Sequence, residues 1–218
     1  MKICHLSDIH IRGLTRHVEY KNIFEKLIVD CVNQKPDHIF IGGDIWHTKT
    51  TGITAEYINL LTWWLNQLST ISPIHIILGN HDGNLQNLSR EDAVSPIVSA
   101  MNNPKIHLYK KSGVYEFQPG WNWCVFGIFD EENWHTVKPV KGSINIACYH
   151  GPVSGARTET GYELEGEVTT SFFKDYDYAF LGDIHTFQFL GTKEIELVVS
   201  EEELKNYSDY EIIEEVSQ

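Results

Sequence analysis

Ile3-Cys4-His5-Leu6-Ser7-Asp8-Ile9-His10, answered downstream by His38-Ile39-Phe40-Ile41-Gly42-Gly43-Asp44-Ile45-Trp46-His47, sets the plan of the chain. In each stretch a short apolar run stops abruptly at an acidic residue followed by a histidine. Ile3–Leu6 and His38–Ile41 read as strands. Between them Phe24, Leu27, Ile28 and Cys31 recur at helical spacing within Tyr20–Val32, and Lys35-Pro36 closes that helix. The pattern repeats. A helix over Thr54–Leu68 is closed by Ser72-Pro73, a strand over Ile74–Leu78 runs into Gly79-Asn80, and a shorter helix covers Asp92–Met101. Alternating strands and helices predict parallel pairing with crossover helices, an α/β fold. The second half carries further strand signals at Val114–Phe117, Cys124–Phe129, Ile144–Tyr149 and Tyr178–Leu181, with two more candidates at Phe187–Leu190 and Ile195–Val199.

Polar clusters follow five of these strands: Asp8-Ile9-His10, Gly43-Asp44-Ile45-Trp46-His47, Gly79-Asn80-His81-Asp82, Tyr149-His150-Gly151 and Gly182-Asp183-Ile184-His185. Loops at the carboxyl ends of strands in open α/β sheets converge over a rigid scaffold, which is where sites are built. A single histidine after a strand means little, but five clusters of carboxylate, amide and imidazole donors point to metal binding. Asp8 and His10 lie two apart, as do Asp183 and His185, so on an extended strand end each pair points to one side. Gly42-Gly43 and Gly79 allow sharp turns and close backbone approach. Asp44 has two oxygens with which to bridge two cations. Oxygen and imidazole donors without thiolate favour Mn2+, Fe2+ or Zn2+ over a structural thiolate zinc site.

Composition narrows the function. The 218 residues suit one domain, and an apolar share of 42% is enough for a core. No stretch approaches the ~20 apolar residues that cross a bilayer, and the first apolar run is too short for a signal peptide, so no membrane association is expected. Cys4, Cys31, Cys124 and Cys148 form no C-x-x-C pair, which predicts reduced, buried thiols and a cytoplasmic location. The formal charge is −13, and the only clustered cations are Lys110-Lys111. Affinity for nucleic acid comes largely from cations that neutralise phosphates, so the isolated chain is expected to hold DNA weakly. Lys193–Gln218 contains nine acidic residues against two lysines, which predicts a domain over 1–192 and an acidic tail over 193–218.

The order D-x-H, G-D-x-x-H, G-N-H-D, H, G-x-x-H resembles the calcineurin-like metallophosphoesterase superfamily. The wording of Met1–His10 and Gly42–His47 resembles its DNA-repair exonuclease branch, which includes the SbcD-type nuclease subunit and the phage recombination endonuclease subunit that partners an SMC-like ATPase. The resemblance spans about residues 1–190. It implies two mixed sheets packed face to face with helices outside, and two divalent ions, Mn2+ foremost with Fe2+, Zn2+ and Mg2+ as alternatives. It places the first ion among Asp8, His10, Asp44 and His185, and the second among Asp44, Asn80, His150 and Asp183. His81 takes the role of proton donor near the leaving group, Asp82 orients it, and His47 contacts the phosphate. The implied activity is a two-metal phosphodiesterase that cuts DNA, with an SMC-like ATPase as partner.

The chain departs from this pattern twice. The family reads G-H-x-H where Gly182-Asp183-Ile184-His185 stands, so Asp183 brings a carboxylate in place of an imidazole. The site becomes one unit less positive and favours harder ions. The repair nucleases also continue into a DNA-binding cap and a helical arm, which are not expected to fit in the residues after His185, so the chain reads as either a minimal catalytic core or a truncated relative. That shortness and the acidic charge favour a rival reading, hydrolysis of a small or non-nucleic phosphoester. A third reading is a non-catalytic interaction module. Arg90, Arg157 and Lys49 stand near the motifs and are read as solvated rather than as phosphate ligands. Trp63-Trp64 are read as core, while Trp121, Trp123 and Trp134 stay open between packing and substrate contact.

Overall fold

The computed structural model describes residues 1–12, 16–47, 52–158, 160–185, 188, 190 and 210–213. Lys49 and the strand candidate Ile195–Val199 lie outside that set, as do Phe187 and Phe189 of the other candidate. In chain order the first half comprises β1 (Ile3–Leu6), α1 (His17–Gln34), β2 (His38–Ile41), α2 (Ala55–Ile71), β3 (Ile74–Ile77), α3 (Ser95–Met101) and β4 (Ile106–Tyr109). The second half adds β5 (Gly113–Gln118), β6 (Trp121–Phe126), β7 (Ile144–His150), the short β8 (Val153–Ser154) and β9 (Val168–Thr169), β10 (Tyr178–Gly182) and β11 (Tyr210–Ile213). β1 to β4 pair in parallel in sequence order. β11, from within the acidic segment, pairs antiparallel on the free side of β1. The second sheet runs β10-β7-β6-β5, parallel except for the β5–β6 hairpin. The two mixed sheets and their flanking helices are the expected α/β architecture.

Alternation along the strands builds the layers. Cys4, Leu6, Ile39, Ile41, Ile74 and Ile76 face the helices, against Phe24, Leu27, Leu61, Trp64 and Leu65. Ile3, Phe40 and Ile77 point the other way, onto Trp123, Val125, Ile146, Cys148 and Phe180 of the second sheet. The far face of that sheet is covered by Val137, Val153, Val168 and Phe173. α1 forms because Phe24, Leu27 and Cys31 make one buried stripe, and it ends at Lys35, left-handed at φ 51°, whose N–H bonds the Cys31 carbonyl. Trp64 is fully buried and stacks on Phe24 with centroids 4.2 Å apart, while half-buried Trp63 lies under the Lys21 ammonium. The remaining tryptophans are packing residues too. Trp121 and Trp123 fill the space between the sheets, and Trp134 donates to the Gly127 carbonyl and packs on Phe126 and Tyr149.

A polar chain from β2, β3 and β4 to β5 joins the sheets. The Tyr109 hydroxyl meets His75 Nδ1 at 2.9 Å, His75 Nε2 meets His38 Nδ1 at 3.1 Å, and His38 Nε2 meets Gln118 Oε1 at 3.4 Å. One assignment satisfies every link: Tyr109 donates to His75, His75 to His38, and His38 to Gln118, with both imidazoles neutral. Burial enforces that state, pulling His38 down and His75 down to about 3, with neighbouring histidine charge adding to it. A proton on His38 Nδ1 would face the His75 N–H and break the chain.

The sign follows from linkage. Below pH ~6.5 unfolded histidine takes up protons that these two refuse, so their stability is full above that pH and drains as pH falls toward 3. In chelator, the urea midpoint is expected to fall between pH 7 and pH 5. His75→Phe should flatten the dependence by up to one proton, ~1.4 kcal/mol per pH unit. An unchanged slope in that variant refutes the account.

Candidate metal centre

Every sequence-predicted ligand comes to one edge, where the carboxyl ends of β1, β2 and β3 meet those of β7 and β10. The backbone there is not extended. Asp8, His10, Asp44, Asp183 and His185 all have positive φ, at 55°, 47°, 53°, 74° and 57°. Among the described residues the other non-glycine residues with positive φ are Lys35 and Asn102, both helix C-caps. The two D-x-H motifs therefore converge by paired left-handed turns, not by the strand alternation that their spacing suggested. Such backbone costs about 1–3 kcal/mol per residue and persists only where surrounding bonds dictate it. Here they do: Asp8 N–H bonds Gly43 O at 3.1 Å, His10 N–H bonds Asp44 O at 2.9 Å, and Ile11 N–H bonds Ile45 O at 2.8 Å, prolonging the β1–β2 ladder past both strands.

The side chains gather around Asp44, which is fully buried. On one side His10 Nε2 lies 3.7 Å from Asp44 Oδ2, 3.3 Å from His185 Nε2 and 4.0 Å from Asp8 Oδ1, and His185 Nε2 lies 3.7 Å from Asp8 Oδ1. On the other, His150 Nε2 lies 3.4 Å from Asp44 Oδ1 and 3.9 Å from Asp183 Oδ1, which accepts from Asn80 Nδ2 at 3.3 Å. Gly79 must be glycine, because a Cβ there would collide with the Asp44 backbone nitrogen and carboxylate.

Charge and burial suit cations. Burial pushes the Asp44 carboxyl up, but His150 and the His81 N–H outweigh it and hold it below the usual range. Burial pulls His10 down to the neutral form that ligation needs. Burial likewise opposes a charge on His150, but its contact with Asp44 and the charges of Asp44 and Asp8 raise it to about 9, so at neutral pH an arriving cation must displace a proton. Asp44 Oδ2 and His150 Nε2 are both buried without a hydrogen-bond partner. Buried polar atoms left so are uncommon, and divalent cations fit these two. Asp8, His10 and His185 form one candidate ion site, and Asp8, Asp44 and His150 another.

Residues 1–187 match the calcineurin-like phosphoesterase family. The chain belongs to that family. It is similar, at 38% identity over 206 residues, to "Uncharacterized protein R555" of Acanthamoeba polyphaga mimivirus, covering 86% of this chain but only 15% of that protein. A looser likeness is to the crystal structure of Pseudomonas putida nuclease MPE, at 14% identity and a TM-score of 0.40, over 74% of this chain and 66% of that one. As a calcineurin-like phosphoesterase the chain is a metal-dependent hydrolase, and its ligand clusters suit divalent ions.

The remaining residues of this phosphoesterase site fall differently from expectation. Asp82 does not touch the His81 ring. Its Oδ1 accepts the Trp46 N–H at 3.1 Å and its Oδ2 the Gly79 N–H at 2.8 Å, so it ties the second ligand loop to the third. The His81 ring is oriented by the His47 carbonyl, and its Nε2 lies 4.0 Å from Asp44 Oδ2. His10, Asp44 and His81 form a third candidate ion group. The His47 ring stands 5.6 Å from that of His10 and 6.1 Å from that of His81. Arg90 and Arg157 are exposed and touch none of the ligand residues among the described residues. Sequence reasoning missed Tyr20, whose hydroxyl donates to the His10 carbonyl at 2.6 Å, and Gly42, whose carbonyl accepts from His150 Nδ1 at 2.7 Å. Neither carries a signal, because one acts from the next helix and the other through its backbone.

Two outcomes are expected. Asp183→Ala should leave about one equivalent of metal per chain, since His185 sits with the first cluster, and Asp183→His should shift preference from Mn2+ toward Zn2+. Metal analysis after dialysis checks both; two retained equivalents in Asp183→Ala would make the carboxylate a bystander. Tyr20→Phe should weaken metal binding by about tenfold, the low end for outer partners of a ligand, with little change in melting temperature. Calorimetric titration with Mn2+ reads that change.

Proposed function

We propose that this chain is a two-metal phosphodiesterase of the nuclease type that cuts DNA, with Mn2+ as its working ion. The observation that carries the reading is Asp44. Its two oxygens face two different donor sets, His10 with His185 on one side and His150 with Asp183 on the other. A carboxylate set between two ligand sets would suit a pair of ions, the arrangement that two-metal hydrolysis uses. When bound, such ions lower the pKa of water and take up charge on phosphoryl oxygens.

The chain's own residues do the rest. The His81 ring is held at Nδ1 by the His47 carbonyl, which leaves Nε2 facing the ligand cluster to deliver a proton to a leaving oxygen. The loop tie through Asp82 fixes that ring relative to Asp44, because Gly79 and Trp46 flank the two motifs. The wording of Met1–His10 and Gly42–His47 supports DNA as substrate and an SMC-like ATPase as partner. Its four free, buried cysteines suit a cytoplasmic location, and no helix among the described residues is long and apolar enough to cross a membrane.

The test is an activity panel on the full chain with added Mn2+: bis-p-nitrophenyl phosphate, single- and double-stranded DNA, and cyclic nucleotides. The expected result is hydrolysis of the model diester and of DNA, abolished by chelator. His81→Ala should lower turnover by about 10²-fold with metal content unchanged. Lost metal with little lost rate would make His81 a ligand. Cleavage of cyclic nucleotides alone would favour the small-substrate reading, and cleavage of nothing an interaction module.

A further inference from the structure

The ladder between the first two ligand loops runs beyond the ligands. Ile11 bridges Trp46 in parallel, and the His47 N–H bonds the Ile11 carbonyl at 3.2 Å. Ile11 and Trp46 are 1% and 2% exposed, directed into the helix-side core. The residue after Trp46, His47, is turned the other way, toward the ligand edge, and Arg12 follows Ile11 on the neighbouring segment. His47 packs there against the His10 and His81 rings. Arg12 is exposed beside it, near enough that its charge, after burial itself, helps keep the His47 imidazole neutral.

Some cations of the chain are held by carboxylates: Lys110 by Asp92 at 2.7 Å, Lys111 by Asp130 at 2.8 Å and Arg16 by Glu19 at 2.6 Å. Among the described residues no carboxylate pairs with Arg12. A planar guanidinium suits two-pronged recognition of phosphate. Arg12 follows the ligand candidate His10 by two residues and its charge reaches His47, so it borders the ligand cluster without belonging to it, a place that suits the phosphate next to the scissile one along a strand.

We propose that Arg12 binds the phosphate next to the scissile one, so that the preferred substrates are polynucleotides with at least two phosphates rather than isolated diesters. This rests on the phosphodiesterase reading above. It also gives a strongly acidic chain one directed contact to nucleic acid at the mouth of the site.

The experiment compares the Mn2+-loaded full chain with Arg12→Gln and Arg12→Lys on two substrates. One is bis-p-nitrophenyl phosphate, which has one phosphate; the other is an oligothymidylate. Fluorescence anisotropy of a dye-labelled oligothymidylate in Ca2+ runs in parallel and needs no turnover. Arg12→Gln should raise KM and Kd for the oligonucleotide about tenfold, with kcat within about twofold and bis-p-nitrophenyl phosphate kinetics unchanged, and Arg12→Lys should recover part of the loss. The slope of log Kd against log salt should shrink by about 0.7, one phosphate contact on a single strand. Equal losses on both substrates, or an oligonucleotide Kd that does not move, would overturn the proposal. Oligonucleotide binding that depends on Arg12 without any cleavage would retain this anchor and defeat the nuclease reading alone.

Discussion

Asp44 is a carboxylate with no exposure to solvent, set where the two sheets meet, and the surrounding chain is arranged to make that tolerable. A buried charge is costly unless it is paired and hydrogen-bonded. Part of the compensation is local: the His81 N–H reaches Oδ1 at 2.8 Å and His150 stands 3.4 Å away. The rest is left for cations, since Oδ2 has no hydrogen-bond partner. Space is cleared for it by Gly79, and the loops around it are pinned by Asp82. Asp82 is itself fully buried, and burial together with the charge of Asp44 raises it to about 7. Two buried carboxylates this close repel each other, so cations at Asp44 should also relieve Asp82.

The same edge couples the sheets. Sheet packing through Phe40, Trp123 and Phe180 sets the distance between layers, but direction comes from polar links. His150 Nδ1 reaches across to the Gly42 carbonyl, and the Asp183 N–H bonds both oxygens of Asp8 at 3.0 and 3.1 Å. The first link also keeps a proton on His150 Nδ1, so that the proton a cation displaces is the one on Nε2, which is turned to Asp44. Metal binding and sheet docking are therefore one problem: a shift of β7 or β10 along β1 would separate ligands that come from different sheets.

The set of candidate donors was legible in the sequence because it is a matter of chemistry at strand ends. Asp8, His10, Asp44, Asn80, His150, Asp183 and His185 are hard or borderline donors after short apolar runs, and all seven are gathered at one edge. Backbone conformation was not legible, because left-handed φ is uncommon even for aspartate and histidine, which adopt it more readily than most, and nothing local demands it; the demand comes from the neighbouring strand. β4 escaped for a different reason. Of Ile106-His107-Leu108-Tyr109 only Ile106 is buried, so no alternation marks it. Within the segment read as an acidic tail, Tyr210–Ile213 pairs along β1, since an edge strand needs only backbone groups to pair. The resemblance made Asp82 the orienter of His81, whereas the N–H groups of Gly79 and Trp46 were the stronger claim on a buried carboxylate.

Stability and chemistry are divided between two polar clusters that join the sheets. One is a neutral chain of Tyr109, His75, His38 and Gln118, every member satisfied without an ion. The ligand edge is the reverse: left-handed backbone, clustered carboxylates and buried donor atoms without partners. Strain of that kind survives only when the remainder of the fold holds it. Here the holding elements are the prolonged β1–β2 ladder, the Tyr20 hydroxyl on the His10 carbonyl and the core beneath. A cation arriving at Asp44 then meets donors already in place. The ordering has been met during folding, and binding energy is left to act on the phosphate.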